Sequence, residues 1–486
     1  MLRKLWFSCI VLFIHCGPGN AAEWQIPPGD KLELAVAAYA KALCSQVFIS
    51  GRDIEKAKAE DGSAMVGFPG REKLGEVSVD RAAQSVQVKM PNGVVRMAKR
   101  FAGQGCVTLP RGADTVSFAP VDVVSALPDP ATQDWPMGDR LPATPLPPEL
   151  DKAKLDEAVN AAFGKPKFTL TGAFAVAYKG RLIAERYEEG SDYSTRFAGW
   201  SMGKSLNATL MGQLILEGVY DLWSPAPVAE WQKPGDLRHA IRIADLLRMS
   251  SGLMCISPFD PDYFTRPSQG YADHWYLYSG AIDSYQWAIT RPAQSRPNSY
   301  GRYRNCDPVS VGYLIRKAVE ARGENYLTWP QRHLFDRIGS RGMVLETDPF
   351  GNFLLQGYEF GPARDWLRLG MLYLQDGLWN GERLLPVGWT DFVRTPAPAW
   401  LRPEYGGAFW LAREPGRFQL PKDAYFMEGN GGQFTFIIPT HDLVVVRLGH
   451  DKGEQSGVSA LKNAIELLMQ AVPKVREEWT PPKTSE

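Results

Sequence analysis

Apolar positions change period several times along the chain, and each change marks an element. Leu5 to Ile14 is an apolar run behind basic Arg3 and Lys4, and Gly19-Asn20-Ala21 supplies a small-x-small cleavage site. Residues 1–22 therefore read as an export signal, with a mature chain beginning near Ala22. An uncleaved signal anchor is the alternative, and the shortness of the apolar run weighs against it. Cys16 raises lipid attachment, against which bulky His15 just before it argues. A helix is predicted from Lys31 to Leu43, followed by short pieces at Ser78–Lys89 and Gly93–Phe101.

Pro128, Pro130, Pro136, Pro142, Pro145, Pro147 and Pro148 crowd residues 127 to 150, which predicts a stiff connector without regular structure. Beyond it, Leu155, Val159 and Phe163 repeat every four residues in a helix expected over Glu149–Phe163, stopped by Gly164 and Pro166. Gly172 to Tyr187 alternates and breaks at Lys179-Gly180, the pattern of a hairpin. Helices follow at Ser205–Gly218, with Leu206, Leu210 and Leu214 on one face, and at Val309–Ala321. Gln433–Pro439 and Leu443–Leu448 form a second strand pair, and Gly457–Val472 a closing helix. Strands and helices at both ends around a long helical middle predict an α+β fold: an antiparallel sheet flanked by helices, with a mainly helical insertion. The expected division is a signal over 1–22, an N-terminal region of unassigned role over 23–140, the main domain over 141–475 and a disordered tail over 476–486.

Composition narrows the partners. A chain of 486 residues suits two domains, or one large domain with an extension. Lysine plus arginine equals aspartate plus glutamate, 54 each, so no overall field recruits nucleic acid or anionic membrane, and a small-molecule or peptide-like partner is expected. No apolar run after the signal is long enough for stable membrane insertion. Of the six cysteines, Cys9 and Cys16 leave with the signal. Cys44, Cys106, Cys255 and Cys306 remain, an even number that suits a periplasmic or secreted protein. The favoured pairing is Cys44 with Cys106 and Cys255 with Cys306, each within one region; four buried free thiols are the alternative. There is no Cys-x-x-Cys and the histidines are scattered singly, so no metal or other cofactor is expected.

Ser201-Met202-Gly203-Lys204 stands at a predicted helix start, where positions three apart share a face. A serine hydroxyl is a weak nucleophile at neutral pH, and a neutral lysine amine in reach can take its proton. Lowering a lysine pKa from about 10.4 to about 7 requires roughly 4 to 5 kcal/mol of environment. About one Ser-x-x-Lys is expected by chance in a chain of this length. Gly199-Trp200-Ser201-Met202-Gly203 also satisfies the G-x-S-x-G elbow of α/β-hydrolases, in which a histidine such as His441 or His450 would be the base. That elbow needs a buried strand before it, and Ser191 to Ala198 is polar and charged.

Two further motifs accompany the first. Tyr303-Arg304-Asn305 precedes the helix at Val309, and Glu428-Gly429-Asn430-Gly431-Gly432-Gln433 opens the strand Phe434–Ile438. With Ser250-Ser251-Gly252-Leu253, this order resembles the serine β-lactamase and penicillin-binding-protein superfamily, most of all its class C, esterase and 6-aminohexanoate-oligomer hydrolase branch. The resemblance runs from about Glu149 to Val472. It implies that Ser201 is the acylated nucleophile, Lys204 its proton acceptor and Tyr303 the relay to the leaving group. Asn305, Glu428, Gly429 and Gly431 would line the substrate site, and the backbone N–H groups of Ser201 and Asn430 would form an oxyanion hole worth about 3 to 4 kcal/mol per donor. Hydrolysis of an ester or linear amide is the expected activity. A silent binding protein of the same fold is the rival, which the presence of Ser, Lys and Tyr together disfavours.

One departure stands out. Met427-Glu428-Gly429 replaces the Lys/His-Thr/Ser-Gly of that superfamily, so the cation that holds a substrate carboxylate is missing. Glu428 would repel such an anion, which places β-lactamase and transpeptidase activity below ester or amide hydrolysis; a solvated surface position is the bland alternative. Tyr263, Phe264, Tyr271, Trp275, Tyr276, Tyr278, Tyr285 and Trp287 cluster in the middle of the chain, as packing of the insertion or as the wall of an apolar pocket. Substrate and oligomeric state are not legible.

Overall fold

The computed structural model describes residues 26–62, 70, 73–164, 169–260, 263, 271–413, 417–450 and 456–481. The expected export signal, Phe264 and the end of the tail lie outside the described residues.

An α+β architecture is built on one six-stranded antiparallel sheet. Its order is Trp410–Leu411, Tyr425–Gly429, Gln433–Ile438, Leu443–Gly449, Thr171–Tyr178 and Arg181–Tyr187. The two strand pairs expected at opposite ends of the domain meet in its middle, where Leu443–Gly449 pairs with Thr171–Tyr178. Successive side chains point to opposite faces. Phe434, Phe436, Val445 and Val176 face the helices Lys152–Ala162 and Ser456–Ala471. Ile437, Val444, Val446 and Ala175 face a second core with the helices Gly203–Leu216 and Ala363–Leu374. Because both faces are covered, these strands read as near-continuous apolar runs.

Element ends differ from the sequence pattern where caps intervene. The helix expected from Glu149 begins at Lys152, because the Asp151 side chain accepts from the Lys154 N–H and fixes the start. Glu428 and Gly429 do not open the strand Gln433–Ile438; they end a separate strand, Tyr425–Gly429, joined to it by a turn through Gly431 and Gly432, both at positive φ. The insertion is helical, with Ile243–Leu247, Asp273–Ser279, Ser284–Thr290 and Cys306–Ala321.

In the N-terminal region the helix runs over Lys31–Phe48, beyond the expected Leu43, and packs on a four-stranded antiparallel sheet, Glu76–Asp80 to Cys106–Thr108. Val36, Tyr39 and Leu43 meet Val86, Val88 and Ala98 there. Cys44 is bonded to Cys106 and Cys255 to Cys306, each pair with Cα atoms 6.0 Å apart. The proline-rich stretch lies along the main sheet's domain, where Arg368 donates to the Pro136 and Gly138 carbonyls and Arg364 to that of Asp139. Among the described residues no helix is long and apolar enough to cross a membrane.

Candidate active site

The chain enters the site through a two-residue strand, Phe197–Ala198, paired antiparallel with Glu359–Gly361. A buried parallel strand, as the α/β-hydrolase elbow requires, does not precede Ser201, and neither His441 nor His450 lies at the cavity: His441 Nδ1 meets the Val472 carbonyl, and His450 meets Asp61 and Glu188. Trp200 has φ 51°, a left-handed conformation that is strained for a bulky residue, and starts a 3-10 turn through Met202. The helix then runs from Gly203, earlier than the expected Ser205, and is buried from Gly203 to Leu214. Gly203 is required here because a Cβ would overlap the Glu359 carboxyl. Ser201 and Lys204 thus stand one turn apart, and Lys204 Nζ donates to Ser201 Oγ at 2.9 Å and to the Gln356 carbonyl at 2.6 Å.

Charges around this pair are set by burial. Desolvation lowers the Lys204 ammonium to about 7, opposed in part by Glu359. The Tyr303 hydroxyl is hydrogen-bonded to Ser201, and burial raises its pKa, so it stays protonated at neutral pH. Lys204 Nζ lies 4.9 Å from the Tyr303 ring centre. Glu359 is fully buried and its pKa is pushed well above the carboxylate range by desolvation.

Above Ser201 opens a cavity of about 340 Å³ walled by Trp200, His274, Trp275, Tyr278, Tyr303 and Trp410, with Phe259 at the mouth, 58% exposed. Glu428, Gly429 and Asn430 form its opposite side. Gly429 lets the strand end press against the turn that carries Ser201, since a Cβ there would overlap the Gly199 carbonyl. That contact brings the backbones around Ser201 and Asn430 to one place. The whole constellation sits between the antiparallel sheet and the helical insertion, and the pattern of the Beta-lactamase family matches residues 160–469, more than half of the chain.

The chain belongs to the beta-lactamase family. A 6-aminohexanoate-dimer hydrolase of Paenarthrobacter ureafaciens is 24% identical to it over 353 residues, covering 66% of this chain and 84% of that protein. A putative beta-lactamase from Bacteroides dorei superposes with a TM-score of 0.52 at 15% identity, over 66% of this chain and 99% of the other. A family VIII carboxylesterase does so with a TM-score of 0.50 at 16% identity, over 66% and 98%. The chain is thus a beta-lactamase-fold hydrolase.

Within this beta-lactamase fold, not all expected residues reach the cavity. Ser201, Tyr303, Glu428, Gly429 and Asn430 line it. Asn305 lies beneath, fully buried and outside the cavity lining, its amide nitrogen donating to the Tyr278 hydroxyl and the His274 carbonyl at 2.9 Å each, so that it holds two wall residues. Gly431 turns away, its carbonyl accepting from Arg447 at 2.7 Å. Glu428 is not a solvated surface residue: it is ion-paired with Arg417, which offsets the negative charge expected to repel anions. The central aromatics serve both expected purposes. Trp275 and Tyr278 face the cavity, while Tyr285 is buried against Tyr326, hydroxyls 2.6 Å apart. His274, Trp200, Trp410, Arg417 and Glu359 were not singled out by the sequence pattern. Glu359 alone leaves a signal, an acid amid the apolar stretch Tyr358 to Gly361.

Proposed function

We propose that the chain hydrolyses esters or linear amides through an acyl-enzyme on Ser201. The observation that carries this reading is the hydrogen bond between Ser201 and a buried lysine near neutrality, at the floor of an apolar cavity. Neutral Lys204 takes the hydroxyl proton as Ser201 Oγ attacks the carbonyl carbon, and the oxyanion forms against the N–H groups of Ser201 and Asn430. Tyr303, kept protonated by burial, donates its proton to the leaving alcohol or amine and is reprotonated from Lys204. Water then attacks the acyl carbon by the same route in reverse order and frees Ser201.

The cavity wall is aromatic, and the one carboxylate among its described residues is paired with Arg417, so an uncharged substrate with an apolar acyl group fits better than the carboxylate of a β-lactam. Export to the periplasm or medium agrees with the two disulfides. Ser201→Ala should abolish covalent labelling by a fluorophosphonate and turnover of p-nitrophenyl esters while the protein stays folded. Retained esterase activity in the purified variant would remove Ser201 from the reaction.

A further inference from the structure

Several wall residues have their backs to a helix that the family match does not include. The match starts at residue 160, whereas the helix Lys31–Phe48 belongs to the N-terminal region. Ala38 and Ala42 pack on Trp200. Leu34 shares one apolar cluster with Trp275, and Ile49, just past the helix, shares another with Tyr278. Residues 34, 38 and 42 are four apart and so occupy one face of the helix. The other face, with Val36, Tyr39 and Leu43, carries the small sheet. Burial on both sides explains why the stretch from Leu34 to Val47 has no exposed stripe.

Polar contacts join the apolar ones in this docking. Lys41 Nζ donates to Glu346 at 2.8 Å, Ser45 Oγ to the same carboxylate at 2.8 Å, and the Cys106 N–H to its other oxygen at 2.7 Å. Arg52 reaches His450 at 2.8 Å from the far end. Trp200 needs such support, because a left-handed tryptophan persists only where its surroundings over-determine it. The alanine face on one side and the Tyr358 ring, 5.5 Å away, on the other provide it. Alanine at both positions leaves room for the indole.

We infer that the N-terminal region backs the rear wall of the substrate cavity: its helix fixes Trp200 and Trp275 and thereby sets the length of the apolar acyl chain that the site accepts. Ala38, Ala42 and Leu34 are positioning residues in this arrangement. The chemistry invoked rests on the serine-hydrolase reading; the wall itself does not.

The test compares p-nitrophenyl acetate with p-nitrophenyl hexanoate in Ala42→Leu and Leu34→Ala. The uncleavable p-nitrophenyl hexyl ether, bound with quenching of tryptophan fluorescence, reads the cavity without chemistry. Ala42→Leu pushes Trp200 into the cavity. The hexanoate-to-acetate ratio of kcat/KM should fall about tenfold, mainly through KM, and ether affinity should fall with it. Leu34→Ala leaves space behind Trp275 and should shift both quantities the other way. A merely structural role lowers both esters together through loss of folded protein and leaves the ratio alone. Folded variants with the wild-type ratio and wild-type ether affinity overturn the inference, and if Ala42→Leu does not fold, Leu34→Ala decides. Should wild type fail to react with a fluorophosphonate at Ser201, the serine-hydrolase reading falls, and the ether affinities still decide on the wall.

Discussion

Lys41 and Lys204 are both buried, at 0% and 2% exposure, on helices that flank the same cavity, yet their surroundings make them opposite kinds of residue. Lys41 has a full carboxylate partner: Glu346 at 2.8 Å, with the Cys106 carbonyl at 2.6 Å and the Tyr358 ring centre at 4.2 Å. Burial holds its ammonium below the usual lysine range, and Glu346 opposes that shift without cancelling it. Among the described residues Lys204 is hydrogen-bonded to the Gln356 carbonyl and to Ser201 Oγ, with no carboxylate bonded to it, and Glu359 acts on it through space; desolvation, the largest influence on both lysines, lowers it to about 7. The bonded carboxylate makes Lys41 a strut, whereas the proposed reaction asks Lys204 to be a base.

The sharpest way to break this contrast is to replace each ammonium by an apolar chain of similar length. Lys204→Met should lower kcat/KM for esters and amides by about 10³-fold or more, roughly 4 kcal/mol of barrier, because the proton acceptor is gone. The same substitution should stabilise the fold. Lys204 titrates lower in the folded than in the unfolded chain, so between about 7 and 10.5 the unfolded state binds the extra proton and stability rises with pH. Holding the amine near 7 costs about 4 kcal/mol at neutral pH. After the lost bond to the Gln356 carbonyl is deducted, Lys204→Met should gain roughly 1 to 3 kcal/mol in urea unfolding at pH 7. A loss of stability there would show that the lysine is a strut after all.

Lys41→Met should have the reverse sign. It strands the Glu346 carboxylate without its cation, at a cost of about 3 to 5 kcal/mol in the same measurement, and the double variant with Glu346→Leu should recover much of it. Recovery would show that the pair, not either charge, is what the region needs.

The two lysines were not equally legible. Lys204 stands three residues from Ser201 in the chain, so a local motif exposes it, and Tyr303-Arg304-Asn305 is equally local. The alternation of Gly172–Tyr187 and the apolar runs near the C-terminus carried the α+β fold for the same reason. Lys41 gains its meaning from Glu346, 305 residues away, and Glu428 from Arg417 across a turn, which no periodicity encodes. Glu428-Gly429 was read as part of the opening of the next strand because the strand it ends, Tyr425–Gly429, is buried on both faces and lacks alternation. Asn305 has the right spacing for a lining residue, but its amide points to Tyr278 and His274 instead.

A smaller effect separates the base from the acid. Tyr303→Phe keeps the ring under Lys204 and removes only the proton donor. An amine must be protonated to depart and p-nitrophenolate need not be, so kcat/KM for a matched amide should fall about 10²-fold and that for the activated ester far less. Equal losses on both substrates would reduce Tyr303 to a positioning residue.

The smallest expected effect concerns the carboxyl that Lys204 lacks as a bonded partner. Glu359 lies against the Gly203 backbone beneath the nucleophile turn, with Lys204, Glu346, Tyr278 and Tyr303 as the ionisable groups that it influences or that influence it. Its burial disfavours the ionised form, and whatever negative charge it carries favours the Lys204 ammonium and so opposes the proposed base. The two groups form a coupled pair, and the acid limb of the pH–rate profile reports the pair. Lys204 must lose a proton to act, so kcat/KM should rise with pH through about 7 in wild type. Glu359→Gln removes the opposing charge at nearly constant shape, and the limb should move to lower pH with little change in the plateau. Glu359→Asp, which keeps the acid, should leave the limb closer to wild type than Gln does. A limb that stays in place in Glu359→Gln would mean that the carboxyl is neutral over the whole working range and that Lys204 is tuned by desolvation alone, which would widen its contrast with Lys41.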